Sequence, residues 1–323
     1  MRLSIIIPVY NGAEYVEQAI ASAFSEAPDD AEVIVADDGS GDATRTIAEQ
    51  VGSKQAGRFR LISHAEGAHR GPGATRNLGV AAARGDLVAF LDADDYYLPG
   101  RFDEDVPRLT EDSALDGVYG LTRVDVEEAA VKKGRTGLEY IGLPAGAAAD
   151  ETLEWLLKER FWHANALTVR RSLLLQVGGF DERLRMAEDC LLWFKLAVAG
   201  RLCPSVSRDP VAVYRRRKGS THRLGAESMD CLLQAMATAT AWARQEKMPG
   251  RACRLLRQGT WDYFVKIAGA ARIKQNSREA RCYLDSAIRI LGWRFFTEPR
   301  AAWLALRILS GNLFKQHKAE VSK

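Results

Sequence analysis

The stretch Val88–Pro99, VAFLDADDYYLP, places three carboxylates, Asp92, Asp94 and Asp95, directly behind an apolar run. Like charges crowded at the end of a strand repel one another, and they cannot all escape into bulk water. A hard divalent cation with oxygen ligands relieves that cost. Mn²⁺ or Mg²⁺ suits such a donor set, and either ion keeps open positions for phosphate oxygens. The chemistry implied is a cation held between protein and a diphosphate. A solvated acidic turn with one Asp capping the next helix accounts for the same residues by themselves.

Three further clusters carry possible chemistry. In Val33–Asp42, VIVADDGSGD, the carboxylate of Asp37 or Asp38 at a strand end can accept from a nucleobase edge or ribose hydroxyls; capping by Ser40 and Asp42 is the plainer use of that turn. In Gly71–Asn77, GPGATRN, small residues run into a helix, whose free N–H groups and dipole favour a phosphate, and Arg76 adds a charged fork. An ordinary turn reads the same way. In Ala187–Trp193, AEDCLLW, Glu188 and Asp189 project about 100° apart on a helix, so one can face a cleft as a general base while its neighbour keeps a structural contact. The five histidines, His64, His69, His163, His222 and His317, show no metal-ligand spacing. His222, in KGSTHR, follows a basic run able to cover a diphosphate and could add a metal ligand; a solvated loop histidine is the commoner case.

These clusters must be held by something, and the first half of the chain supplies it. Leu3–Val9, Ala31–Ala36, Arg58–Ile62 and Asp86–Leu91 read as strands, with helical spacing over Ala13–Ser25, Asp42–Val51 and Ala74–Ala83 between them. Such alternation predicts an α/β fold, a doubly wound, mostly parallel sheet covered on both faces. Ligands of such sheets sit beyond the carboxyl ends of the strands. The acidic and small residues fall on that rim. Farther on, Val118–Val126 and Ala164–Arg170 read as strands, and Asp150–Glu159 and Leu184–Ala199 as helices, the last apolar around most of its circumference. From Glu227 the chain is helical and basic. The junction is placed near Arg216–Gly225, giving a domain over residues 1–220 and a helical region over 221–323.

Composition bounds the class. With 323 residues, 47% hydrophobic and 27% charged, the chain is an ordinary globular protein large enough for a substantial core and an appendage. Five scattered cysteines without a C-x-x-C pair argue against a disulfide framework and a zinc site, and imply a reducing, cytoplasmic setting. No run reaches the roughly 18 apolar residues of a membrane span. The net charge of +3 conceals an asymmetry: Arg244–Lys323 holds 17 Lys and Arg against 6 Asp and Glu, leaving the rest of the chain net negative. Trp293, Phe295, Phe296, Trp303, Leu304 and Ile308, interleaved with Arg294, Arg300 and Arg307, could rest on an anionic membrane surface; packing onto the catalytic domain or a second subunit is the alternative. No nucleic-acid-binding module is present.

Taken in order, SIIIPVYNG, VIVADDGSGD, ATRN, FLDADD and AEDCLLW resemble the family 2 inverting glycosyltransferases of the GT-A fold, over about Arg2–Tyr214. The resemblance implies a nucleotide-sugar donor, with a UDP-sugar favoured, and a saccharide or lipid-linked acceptor of bacterial-type polysaccharide or glycolipid assembly. Pro8, Tyr10, Asn11 and Glu14 would lie near the nucleotide, Asp37 or Asp38 at the base, and Arg76 near the diphosphate. In the D-x-D, Asp92 would meet ribose and Asp94 the metal, and Asp189 would be the catalytic base. Gly41 stands where Thr is common, Thr75 where Ala is common, and His64–Gly73 is lengthened, which bears most on Arg76. Q-x-x-R-W and membrane spans, typical of processive synthases, are missing, so single addition is expected. An aspartate-nucleophile phosphatase is disfavoured because its D-x-D lies at the first strand. A dinucleotide oxidoreductase lacks support because Pro8–Gly12 has no G-x-G-x-x-G turn. The remaining alternative is a non-catalytic nucleotide-sugar-binding or assembly protein of the same fold. Self-association is left open.

Overall fold

The computed structural model describes residues 1–55, 57–126, 139–142, 151–159, 161–216, 226–273, 283–285 and 288. The chain divides into two compact units, Met1–Thr221 and His222–Lys323.

The first unit is built on a seven-stranded sheet. β1 (Leu3–Val9) lies between β2 (Glu32–Asp37) and β4 (Leu87–Phe90), parallel to both, and β3 (Phe59–Ser63) extends the parallel set beyond β2. Every residue of β1, β2 and β4 is buried, as expected for strands covered on both faces. The cover comes from α1 (Val16–Glu26), α2 (Thr44–Gly52) and α3 (Pro72–Ala82). α3 approaches β1 so closely that a Cβ on Gly79 would stand 2.3 Å from Ile6 Cγ2, which explains a glycine inside a helix. Ile5, Ile7, Val33 and Val35 join Val16, Ala19, Ile20 and Ala23 of α1 in one core.

Beyond β4 the sheet changes direction. β9 (Leu167–Arg170) pairs antiparallel with β4 and with β6 (Gly117–Tyr119), and β10 (Leu202–Pro204) closes the edge parallel to β6. The start of β9 therefore meets the carboxyl end of β4. The expected strand Val118–Val126 is two strands: at Gly120 the chain leaves the large sheet and continues as β7 (Leu121–Val126) in a second sheet. There β11 (Pro210–Arg216) lies between β5 (Tyr96–Tyr97) and β7, and β8 (Glu139–Ile141) flanks β7. A Cβ on Gly120 would lie 2.9 Å from Val211 Cγ2, so the change of sheet needs glycine there. α4 (Asp105–Glu111), α5 (Thr152–Leu157) and α6 (Arg171–Gln176) are short. α7 (Glu188–Ala199) begins four residues later than the expected Leu184, because Ala187 is left-handed at φ 61° and interrupts the helix path.

The second unit contains α8 (Ala226–Gln245) and α9 (Gly250–Ile273), joined by a tight turn with Lys247 at φ 53° and Pro249 ahead of α9. Thr240 and Thr260 face each other, their hydroxyls 3.2 Å apart, amid buried Leu233, Met236, Leu256 and Phe264. Trp293, Phe295, Phe296, Trp303, Leu304, Ile308 and their neighbouring arginines lie outside the described residues, as does His222.

Candidate active site

The carboxyl ends of β1, β2 and β4 form one rim, and their loops are tied together. After β1, Pro8 is buried in register with Ala36, and Tyr10 emerges 50% exposed. Asn11 is left-handed at φ 49°; its backbone N–H donates to Ser40 Oγ (2.9 Å), and its side-chain Oδ1 accepts from Gly41 N (2.8 Å). Gly12 N donates to Thr44 Oγ1 (2.9 Å). Glu14 is exposed.

After β2, both carboxylates are buried and engaged. Asp37 accepts from Arg45 Nη1 (3.0 Å) and Ser40 N (3.2 Å). Asp38 accepts from Arg70 N (2.7 Å) and Gly71 N (2.8 Å), and pairs with His69 Nδ1 (2.9 Å). Asp38 thereby secures the lengthened His64–Gly73 stretch to the rim, and the His69 ring lies tilted against Tyr10 with centroids 4.1 Å apart.

After β4 comes the acidic turn, closed by Asp95 N donating to Asp92 O (2.9 Å). The three carboxylates have different surroundings. Asp95 is fully buried, accepting from Asn165 Nδ2 (3.0 Å) and Arg215 N (3.0 Å). Burial, with the charges of Asp92 and Asp94, pushes its carboxyl well above the usual range against those hydrogen bonds. For Asp92, burial acts in the same sense, but the Arg76 guanidinium and His163 outweigh it and hold it below the ordinary value. Asp94 is half-buried.

Arg76, on the first turns of α3, donates from Nη2 to Asp92 Oδ1 (2.7 Å) and from Nη1 to Glu188 Oε1 (3.1 Å). Burial alone would ease its proton off, yet the charges of Asp92 and Glu188 raise it above its ordinary value. Glu188 is pushed up to about 7 by burial and by the adjacent Asp189, with Arg76 opposing. Asp189, half-buried at the start of α7, accepts from Cys190 N at Oδ1 (2.7 Å). Its charge is felt by Arg76, Glu188 and His163, so it belongs to the same cluster.

His163 enters with the reversed strand. Its ring stacks on Tyr214 at 4.6 Å, and its Nδ1 accepts from Asn165 N (3.5 Å) and faces Asp95 Oδ2 at 3.7 Å. Burial lowers its proton affinity despite Asp92 and Asp189. Asp92, Asp95 and His163 each offer a ligand atom, all within 4.8 Å of one another. Two carboxylates and an imidazole so placed are a donor set that a metal ion fits, with Asp94 in the same turn.

A model of the family described as Glycosyl transferase family 2 matches residues 4–173, more than half of the chain. The chain belongs to glycosyl transferase family 2. This family 2 glycosyltransferase is 30% identical over 238 residues to the succinoglycan biosynthesis protein ExoO of Rhizobium meliloti, with 72% of the chain and 66% of ExoO aligned. The chain thus spans just under two thirds of that relative. Among solved structures, S. aureus TarS 1-349 in complex with UDP superimposes with a TM-score of 0.67 at 17% identity, covering 100% of this chain and 92% of TarS 1-349. The mannosyltransferase PcManGT from Pyrobaculum calidifontis, in complex with GDP-Man and Mn²⁺, gives 0.55 at 17% identity, covering 97% and 87%. These likenesses establish the GT-A fold.

Within this transferase, Asp92, Arg76, Glu188 and Asp189 meet at one place, and Tyr10, Asn11, Asp37 and Asp38 share the neighbouring stretch of rim. The motifs gave no hint of His163 or Asn165. His163 read only as one of five histidines without metal-ligand spacing and Asn165 as part of the strand Ala164–Arg170, and their approach to the acidic turn follows from the reversal of β9, which no local pattern encodes.

Proposed function

We propose that this protein is a metal-assisted inverting transferase, moving a sugar from a nucleotide diphosphate donor, with a UDP-sugar favoured, to a hydroxyl of a saccharide or lipid-linked saccharide. The observation that carries the reading is the convergence of the acidic turn, Arg76 and the Glu188–Asp189 pair at the carboxyl rim of the parallel strands. The UDP bound to TarS and the GDP-Man and Mn²⁺ bound to PcManGT support a nucleotide-sugar donor and a divalent cation, and the name of ExoO supports work in polysaccharide assembly.

In this reading the nucleobase stacks on the open part of Tyr10, beside Pro8, Asn11 and Glu14. Asp37 and Asp38 border the base, acting through the loops they hold. Asp92 and Asp94 would hold Mn²⁺ or Mg²⁺, with His163, Asp95 and His222 as further ligand candidates. Such a cation would supply charge stabilisation for a departing diphosphate. Asp189 takes the proton from the acceptor hydroxyl as that oxygen attacks the anomeric carbon opposite the diphosphate, inverting the configuration in one displacement. Arg76 is placed to keep Asp92 ionised. The exposed Arg251, Arg254 and Arg257 of α9 support peripheral attachment to an anionic, cytoplasmic membrane face.

The test pairs donor consumption with binding. Wild type supplied with Mn²⁺, a panel of nucleotide sugars and saccharide acceptors yields product of inverted anomeric configuration by NMR. Asp189→Asn loses at least about 100-fold in turnover while nucleotide binding by calorimetry persists. A wild type that binds a nucleotide sugar and never consumes it overturns the reading in favour of a binding protein.

A further inference from the structure

α3 is tied to the segment that delivers Asp189 at several points. Arg76 spans Asp92 and Glu188, and its guanidinium lies 5.4 Å from the centre of the Phe180 ring. Its remaining Nε is buried and finds no partner, so the two carboxylates and the Phe180 ring dictate how the planar group stands. Asn77, the next residue, donates from Nδ2 to the Phe180 carbonyl (2.9 Å) and to Glu182 Oε1 (3.0 Å), and accepts at Oδ1 from Phe180 N (2.9 Å). At Gly73, one turn earlier, a Cβ would be in van der Waals contact with Glu188 Cγ at 3.4 Å, so α3 packs directly on the start of α7. A guanidinium kept for phosphate would not need both arms of its fork engaged by carboxylates. The geometry describes a strut between the acidic turn and the first turn of α7.

We propose that Arg76 and Glu188 form a positioning couple, fixing the separation between the D-x-D turn and the start of α7 and so setting where the Asp189 carboxylate stands against the acceptor hydroxyl. The proposal rests on the assignment of Asp189 as the base. Neither residue touches the reacting atoms; Glu188 acts through Arg76 and through its peptide bond to Asp189. The need for a strut is visible in Ala187, whose left-handed backbone at φ 61° persists only where its surroundings fix it. A misplacement of about 1 Å in a reacting group costs on the order of 100-fold in rate, so the couple acts on turnover and not on donor affinity.

The experiment compares wild type, Glu188→Ala and Glu188→Gln in full-length protein with Mn²⁺, measuring kcat, KM for the nucleotide sugar and Kd for the nucleoside diphosphate. Glu188→Gln keeps the Oε1 that accepts from Arg76 Nη1, whereas Glu188→Ala removes it. The expected result is a fall in kcat of about 30-fold or more in Glu188→Ala, with KM and Kd within about twofold of wild type, and recovery to within about fivefold of wild-type kcat in Glu188→Gln. Equal kcat in Glu188→Ala and wild type overturns the proposal, as does a parallel loss of nucleotide binding. So does failure of the isosteric Gln to restore turnover in a folded protein, since Glu188 would then act chemically. Absence of turnover in wild type with every donor and acceptor defeats instead the functional reading beneath it, and is recognised by the wild-type control.

Discussion

Replacing Glu188 by Gln isolates an electrostatic cost built into the cluster and should make the protein more stable at alkaline pH. The Glu188 carboxyl is raised from 4.5 to about 7, mainly by burial and then by the charge of Asp189, against the pull of Arg76. The folded state therefore holds this proton more tightly than the unfolded chain does. Its contribution to stability is fully present below about pH 4.5 and is lost as pH rises through about 7. The displacement corresponds to about 3 kcal/mol, most of which develops between pH 5 and pH 8. Gln keeps the acceptor for Arg76 and carries no charge, so it escapes that loss. For a unit of this size 1 kcal/mol moves Tm by about 2–4 °C, so the advantage of Glu188→Gln over wild type should grow by about 5–10 °C across that interval. Thermal unfolding of both proteins followed by circular dichroism from pH 5 to pH 8.5 measures it. A difference in Tm that stays flat, or that narrows toward high pH, would show that Glu188 is ionised at no cost and refute the reasoning.

Other perturbations have equally definite outcomes. Asn165→Ala removes the amide that donates to buried Asp95 and should cost about 1–3 kcal/mol in urea unfolding, with Thr122 Oγ1 losing its partner as well. Gly79→Ala drives a methyl into Ile6 and should cost about 1–3 kcal/mol, separable from any effect on the rim because nucleotide affinity per folded molecule is retained. Asp94→Asn should abolish the added stabilisation by Mn²⁺ plus UDP; in wild type at 100 times the Kd that stabilisation is about 2.7 kcal/mol, or about 5–10 °C in Tm. A full shift retained in Asp94→Asn would remove Asp94 from the proposed ligands.

The parallel half of the fold was legible because buried strands and their polar ends announce themselves in sequence: LSIIIPV and LVAF are wholly buried and each opens onto the rim. The acidic turn and the Glu188–Asp189 pair were legible as clusters. Their mutual arrangement was not, because Arg76 finds its partners 16 and 112 residues away. Val118–Val126 shows why continuous β-propensity can mislead, since Gly120 moves the chain from one sheet to another without interrupting the pattern. The late start of α7 has a similar origin: the apolar periodicity from Leu184 is helical, but Asp181 caps its own turn through Arg183 N (3.0 Å), and Ala187 bends back before the helix begins. Asp38 was legible as a carboxylate at a strand end, but not that its oxygens bind the backbone of Arg70 and Gly71, which lie more than 30 residues on.

The reversed strand β9 has an evolutionary corollary. Because it runs against β4 and β6, everything inserted between Gly120 and Leu167 leaves from the carboxyl rim and returns to it, while β1 to β4 keep their spacing. A scaffold of this kind can vary in length and composition between those two points without disturbing the packing of its four parallel strands.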